Sequence, residues 1–311
     1  MSTVKKIMAR KTLTTWIIAT RPQFFTVIIL PIFLGTAIAW HSLSVFSPAY
    51  FILSLVAGIF SHAGINVLND YFDHLNQSDD INLTPLTPFT GGSRFIQQGI
   101  LSPQETYYYG WFLLTIAIII GLLLVWLRGL PLLWIGLIGI LSGYCYSAPP
   151  FSFHSRGLGE MLVGLNFGLL TVVGSYYVQT QTLNGVAMIA ALPLSGLVTA
   201  ILYLNEFPDY LADKRVGKHN LVVRLGKVTA RHFLGVWISL SFVVIVVGVI
   251  SQNLPLLSLI SFLALPLGWG AIKNLYIHYD NPPALILAIK NTIWLHTVVS
   301  GILILAFIFP I

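Results

Sequence analysis

The sequence predicts an all-α, polytopic membrane protein, and three observations carry this prediction. Of the 311 residues, 56% are hydrophobic and only 8% are charged, whereas a soluble domain carries about 25% charged residues. The apolar residues form long blocks, among them 112–127, 233–250 and 285–311, and about 20 apolar residues are enough for a helix to cross a bilayer. Lys and Arg lie in the loops between these blocks, so the formal charge of +6 indicates membrane topology and not a nucleic-acid partner.

The apolar blocks predict nine transmembrane helices. In chain order they are roughly 15–40, 48–72, 104–127, 130–147, 158–179, 184–211, 230–251, 254–278 and 285–309. The first block follows a basic N-terminus and is interrupted by Arg21-Pro22, with no cleavage site after a short apolar run, so we expect a retained helix and not a signal peptide. Prolines inside the later blocks, such as Pro31 and Pro193, are tolerated in membrane bundles. Cys145 is the only cysteine, so no internal disulfide can form.

The distribution of charge predicts the orientation of the chain. With a cytoplasmic N-terminus, fifteen of the sixteen Lys and Arg residues fall on the cytoplasmic side, and only Arg128 falls outside. All ten Asp and Glu residues fall on the cytoplasmic side as well. We therefore expect a multi-pass protein of the cell inner membrane, with its chemistry at the cytoplasmic face. A faint repeat of acidic motifs predicts one transmembrane domain, 1–311, made of two halves at about 1–150 and 151–311.

The acidic motifs end the second and the sixth predicted helix. The first is Asn66-x3-Asp70-x2-Asp73, followed by Asp79-Asp80, and the second is Asn205-x3-Asp209-x3-Asp213. Spacings of three and four place the members of each motif on one helix face. Such like charges near a helix C-terminus destabilise the helix unless a cation lies between them. Oxygen ligands at this density suit Mg²⁺, which predicts one metal site formed between the two halves.

Basic residues near the acidic motifs predict an anionic ligand. Arg94 ends the segment Thr90-Gly91-Gly92-Ser93-Arg94, whose glycines let backbone N–H groups approach an anion. Arg156 lies in the loop after the fourth predicted helix, and Lys214 and Lys218 follow the second acidic motif. A metal held by carboxylates beside Arg and Lys indicates a diphosphate ligand. The surrounding helices are apolar, which indicates that the rest of the substrate is apolar too. A prenyl diphosphate meets both requirements. The alternative for each motif alone is an ordinary polar helix end at the membrane interface.

The diphosphate-binding set predicted from these patterns includes the two asparagines that open the acidic motifs. Its members are Asn66, Arg94, Arg156, Asn205, Lys214 and Lys218.

At these residues the chain resembles a known family. The stretches 69–73 and 205–214 look like the two Asp-rich motifs of the UbiA-type intramembrane prenyltransferases. Within that superfamily the chain most resembles the 1,4-dihydroxy-2-naphthoate polyprenyltransferases of menaquinone synthesis. Three details carry this likeness: Asp79 follows Asp73 by six residues, the segment 90–94 is present, and so is the segment 217–226.

The resemblance implies a nine-helix bundle around a lipid-open cavity. It implies catalytic carboxylates at Asp70, Asp73, Asp209 and Asp213, bridged by Mg²⁺ to the diphosphate, with Asp79 as a further metal ligand. It also implies loss of diphosphate to give an allylic cation, attack by an electron-rich ring carbon and, for the naphthoate, loss of CO₂. Two departures from the family pattern are His219-Asn220 and Asn76-Gln77, and neither is expected to touch a proposed ligand.

Two alternatives stay open at this point. One keeps the reaction and changes the acceptor to 4-hydroxybenzoate, homogentisate or another ring. The other is a different class, a cation-coupled transporter, whose site would lie near the bilayer midplane. The carboxylates of this chain lie at helix ends on one side instead, which favours the enzyme.

Overall fold

A computed structural model describes residues 11–83 and 85–310. The basic residues Lys5, Lys6 and Arg10, which support the predicted orientation, lie outside this range. The described residues are helical, with no β-strand among them. The α-helices are α1 (Leu13–Ala19), α2 (Thr26–Leu43), α3 (Pro48–Leu75), α4 (Ser78–Ile81), α5 (Pro103–Arg128), α6 (Pro131–Ser147), α7 (Gly159–Val163), α8 (Thr171–Thr180), α9 (Gly185–Arg215), α10 (Leu221–Leu225), α11 (Lys227–Ala230), α12 (Phe233–Ile250), α13 (Leu265–His278) and α14 (Ile286–Ile308).

Within the described residues, eight helical stretches are long and apolar enough to span a membrane. They are Pro22–Leu43, Pro48–Leu75, Pro103–Arg128, Gly159–Thr180, Gly185–Arg215, Lys227–Ile250, Leu256–His278 and Pro282–Ile308. The helix α6 is apolar but shorter, at 17 residues. The prediction of an all-α membrane protein is thus confirmed, while the ninth span and the cytoplasmic N-terminus remain predictions.

Local sequence determines where the helices begin. Proline occupies the first helical position of α3, α5 and α6, where its missing N–H and fixed φ cost nothing. Ser102 also caps α5 by accepting the Glu105 N–H at 3.2 Å. The predicted first helix, 15–40, is instead divided, because Arg21 has a φ of 56° and Pro22 starts a separate 3₁₀ turn.

Two glycines bring the helical stretch 159–180 close to α9. The middle of this stretch, Gly164–Leu170, is a π-helix, a rare form that is frequent at functional sites. A Cβ on Gly164 would lie 2.6 Å from Thr199 Oγ1, and one on Gly168 would lie 2.5 Å from Ser195 Cα. Only glycine permits this approach, which also allows Thr199 Oγ1 to donate to the Glu160 carbonyl oxygen at 3.1 Å.

The helices α3 and α9 position the two acidic motifs. The helix α9 continues through Pro208 to Arg215, so the second motif stays on one helix face as the spacing predicts. The main hydrophobic core surrounds α9, with α2, α12 and α14 packed against it. The helix α3 packs along α5 on the other side of the bundle. The acidic motifs at the ends of α3 and α9 both border one cavity of about 540 Å³.

Candidate active site

The two acidic motifs meet at one end of the cavity. Lys218 joins them directly, because its Nζ lies 3.5 Å from Asp73 Oδ1 and 3.6 Å from Asp213 Oδ1. Burial acts to lower the pKa of Lys218, but the carboxylates of Asp213 and Asp73 raise it well above its ordinary value, so the ammonium stays charged. One cation therefore neutralises part of the charge of both motifs.

The segment 90–94 provides a second link between the motifs. The Gly91 N–H donates to Asp209 Oδ2 at 3.3 Å, and the Ser93 N–H donates to Asp70 Oδ2 at 3.0 Å. Successive backbone N–H groups in such a turn form a concave site for anions. A single short loop thus holds one carboxylate from α3 and one from α9.

Side-chain amides orient the outer carboxylates. Asp73 accepts from Asn69 Nδ2 at 3.0 Å and from Asn76 Nδ2 at 3.2 Å, and Asp213 accepts from Asn220 Nδ2 at 2.9 Å. The expectation that Asn76 and Asn220 touch no proposed ligand is therefore wrong. Asn220 also caps α10 by accepting the Val223 N–H, so the same side chain fixes both a helix start and a carboxylate.

Arg21 and His154 belong to the site, although the sequence patterns did not single them out. Arg21 forms an ion pair with Asp70 and donates to Asn69 Oδ1 at 3.3 Å. The His154 Nε2 atom lies 3.3 Å from Asp73 Oδ1. The signal for Arg21 was the Arg-Pro interruption of an apolar run. His154 gave no signal, since a lone histidine in a loop predicts no contact.

Asp79 and Gly92 define the centre of the acidic group. Burial, together with the negative charges of Asp73 and Asp70, raises the pKa of the Asp79 carboxyl to about 8. A Cβ on Gly92 would lie 2.5 Å from Asp79 Oδ2 and 3.0 Å from Asp70 Oδ1. The two carboxylates therefore approach the loop at the same point, where only a glycine fits.

The carboxylates of the two acidic motifs fit Mg²⁺ when a diphosphate completes the coordination of the metal. Among residues 11–83 and 85–310, no group of three His, Cys, Asp or Glu side chains encloses a metal site by itself. Mg²⁺ is bound in most enzymes by one or two carboxylates, water and substrate phosphates, and not by an all-protein cage. The converging carboxylates with adjacent N–H groups and cations match this mode of binding.

The cavity has one polar end and long apolar walls. The acidic residues Asp73, Asp79, Asp209 and Asp213 lie at its polar end. The walls beyond are made by apolar side chains of several helices, including Val27, Ile28, Ile32, Leu122, Val125, Leu133, Ile140, Phe167 and Leu170. The cavity is thus shaped for an elongated molecule with an anionic head and a hydrocarbon tail.

The predicted diphosphate-binding residues fall into two groups. Asn66, Asn205 and Lys218 line the cavity. The other three lie outside the residues that line it. Arg94 donates to the Asp79 carbonyl oxygen, Arg156 donates to the Pro150 carbonyl oxygen at 2.7 Å, and Lys214 lies 5.7 Å above the Tyr210 ring.

Comparisons with known proteins agree with this geometry. Residues 28–294 match the sequence model of the UbiA prenyltransferase family. The 1,4-dihydroxy-2-naphthoate octaprenyltransferase of Escherichia coli (strain K12) is 31% identical over 232 residues, which cover 70% of each chain. The 2-carboxy-1,4-naphthoquinone phytyltransferase of Synechocystis sp. is 27% identical over 86% of this chain and 84% of that protein. The structure of a UbiA homologue from Archaeoglobus fulgidus bound to GPP and Mg²⁺ superimposes with a TM-score of 0.67 at 16% identity, over 94% of this chain and 99% of that one.

Proposed function

The chain belongs to the UbiA prenyltransferase family, and from this premise we propose that it transfers a polyprenyl group from its diphosphate to 1,4-dihydroxy-2-naphthoate, with loss of CO₂ and in the presence of Mg²⁺. The observation that carries the proposal is the convergence of both acidic motifs on Lys218 and on the 90–94 loop, at the polar end of an otherwise apolar cavity. The naphthoate acceptor is supported by the names of the relatives. The step belongs to menaquinone biosynthesis.

The acidic end of the cavity is proposed to bind the diphosphate. Asp70, Asp73, Asp79, Asp209 and Asp213 would hold Mg²⁺, which when bound neutralises negative charge on the leaving diphosphate. Lys218 and Arg21 add fixed positive charge at the same place, and preorganised charge of this kind stabilises a leaving anion strongly in a water-poor site.

The cavity walls are proposed to hold the prenyl chain and to protect the allylic cation. Apolar side chains exclude water, which would otherwise capture the cation and waste the donor. The Tyr146 ring lines the cavity near the acidic end and stacks on His154 with 5.2 Å between ring centroids. An aromatic face in this position can stabilise a passing cation. The site is proposed to face the cytoplasm from the cell inner membrane.

Product identification tests the proposal. Membranes that contain the protein are incubated with octaprenyl diphosphate, Mg²⁺ and one of three acceptors: dihydroxynaphthoate, 4-hydroxybenzoate or homogentisate. We expect mass spectrometry to find prenylated, decarboxylated naphthoquinol, and EDTA to abolish it. Formation of product with 4-hydroxybenzoate alone would change the acceptor, and no product with any ring would contradict the proposal.

The same assay separates the two groups of predicted diphosphate ligands. Arg156→Ala removes a guanidinium that is bound to a backbone carbonyl outside the cavity wall, whereas Lys218→Ala removes the ammonium between the acidic motifs. A rise in the KM for octaprenyl diphosphate in both variants would support a role for Arg156 in diphosphate binding. A rise only in Lys218→Ala would restrict the binding set to residues that line the cavity.

A further inference from the structure

A pair of buried carboxyl groups lies beside the acidic site and has no role in the mechanism above. Glu160 at the start of α7 is fully buried, and Glu206 on α9 is 8% exposed. The two carboxyl groups lie within hydrogen-bonding reach of each other. In each of them Oε2 is enclosed and has no N–H or O–H donor. Buried carboxyl oxygens are almost always hydrogen-bonded, so this pair requires an explanation.

The contact between the two carboxyl groups fits a hydrogen bond from one to the other. Two ionised carboxylates repel, and only a protonated carboxyl can donate to its neighbour. Glu160 is held firmly in place, because its Oε1 accepts the Leu221 N–H at 2.7 Å and its carbonyl oxygen accepts from Thr199. The Glu160 carboxyl thereby fixes the orientation of Glu206.

The Glu206 carboxyl is directed toward the cavity. Glu206 lines the cavity, whereas Glu160 lies behind it. Glu206 Oε2 is enclosed, so Oε1 is the carboxyl oxygen that a ligand in the cavity can reach. A hydrogen-bonding group without a protein partner on a mostly apolar wall fits a polar group of a ligand.

The depth of Glu206 matches the place where the acceptor ring must react. Glu206 precedes Asp209 by three residues on α9, which places it about 4.5 Å further along the helix axis, away from the helix end. The allylic carbon is bonded to a diphosphate oxygen and so lies just inward of the acidic group. Apolar side chains of Leu162, Val163 and Leu202 also line the cavity and can pack against a flat ring.

We propose that the Glu160–Glu206 carboxyl pair is the binding site for a ring hydroxyl of the aromatic acceptor. Glu206 accepts the hydroxyl hydrogen bond, and Glu160 positions Glu206. This contact holds the ring with one carbon directed at the allylic centre and selects hydroxylated acceptors. The inference rests on the proposed prenyl transfer and identifies the residue that gives it acceptor specificity.

Methyl ethers of the acceptor test the proposed contact. The wild-type protein is assayed with dihydroxynaphthoate and with each of its two mono-O-methyl ethers, at saturating octaprenyl diphosphate. Methylation removes the hydroxyl proton, so one ether should have a kcat/KM lower by about tenfold or more, since sites built for a hydroxyl reject analogues without it. In Glu206→Leu this discrimination should fall to within about twofold, because no carboxyl remains to select for the hydroxyl.

Two further variants separate binding from folding. Glu206→Gln keeps an oxygen for the hydroxyl and an amide that can donate to Glu160, so it should retain the discrimination. Glu105→Gln makes the same chemical change at the start of α5, 38% exposed and paired with Lys11, and should behave as the wild type. The KM for octaprenyl diphosphate should stay within about twofold in all variants, which a general loss of structure would not allow. If Glu206→Leu does not accumulate, Glu206→Met replaces it as the apolar variant.

The outcomes distinguish this inference from the proposed function. A wild-type protein that uses both ethers as well as the parent acceptor overturns the inference, even though prenyl transfer stands. The same holds if Glu206→Leu and Glu206→Met keep the wild-type discrimination. A wild-type protein that prenylates none of the rings overturns the proposed function itself.

Discussion

Replacing Gly92 with alanine should disrupt the acidic site and leave the rest of the bundle in place. Gly92 has a φ of +74°, and its added Cβ would lie 2.5 Å from Asp79 Oδ2 and 3.0 Å from Asp70 Oδ1. Both aspartates are buried, so neither carboxylate can turn freely into solvent. The methyl group must therefore displace a carboxylate or move the 90–94 loop away from Asp70 and Asp209.

The expected effect of Gly92→Ala has two parts: backbone strain at a positive φ and displacement of a carboxylate. An alanine with positive φ costs about 1–2 kcal/mol of stability. Gly226 provides a control for positive φ without a neighbouring carboxylate, because its φ is +72° and no atom lies within 4 Å of its added Cβ. Gly226→Ala should thus lose stability with little effect on turnover. In Gly92→Ala, a shift of about 1 Å in a ligand carboxylate should lower kcat about 100-fold beyond this control.

Two measurements on purified protein in nanodiscs check this reasoning. Thermal unfolding gives the strain common to both variants, and Mg²⁺ titration of octaprenyl transfer gives the damage to the site. We expect Gly92→Ala to need more Mg²⁺ and to have a lower maximal rate than Gly226→Ala. Equal rates and equal Mg²⁺ dependence in the two variants would show that the loop does not position the carboxylates, and the reasoning would be refuted.

Three further experiments, each with its own substitutions, test separate parts of the site. Asp70→Asn and Asp209→Asn should each lower turnover about 100-fold or more while the protein still accumulates. The control Asp80→Asn, which changes a partly exposed partner of His74, should retain activity. Equal loss of activity in all three variants would argue against a specific role for Asp70 and Asp209. Lys218→Met leaves two carboxylates without their shared cation and should destabilise the substrate-free protein by about 3–5 kcal/mol, measured by thermal unfolding; an unchanged unfolding temperature would contradict the bridging contact. Gly136→Phe fills open space on the cavity wall and should raise the KM for octaprenyl diphosphate far more than for geranyl diphosphate, so an equal effect on both donors would place the tail elsewhere.

Much of the fold could be predicted from local composition. Apolar blocks of helical length predict membrane helices because burial in hydrocarbon depends on the segment itself. The sequence does not predict the divided first helix or the π-helix at Gly164–Leu170, although Arg21-Pro22 interrupts the first apolar block. These features depend on contacts with neighbouring helices, which composition does not contain.

The prediction of the candidate site was less complete, and particular residues show why. Spacing of three and four residues identified the aspartates of α3 and α9, since a helix brings such positions together wherever it lies. Among the basic residues, spacing could not separate Lys218, which bridges the motifs, from Lys214, which lies over Tyr210. Asn220 looked like a neutral departure from the family pattern, yet it donates to Asp213.

The sequence by itself determined the class of the protein, the two acidic motifs and their likeness to a prenyltransferase family, because these depend on short-range composition and helical periodicity. Only the tertiary structure decided which side chains share the site. The contacts of Arg21 with Asp70, of His154 with Asp73 and of Glu160 with Glu206 join residues 46 to 81 positions apart. Such contacts depend on the distance and rotation between packed helices, which are set by close approaches such as those at Gly164 and Gly168.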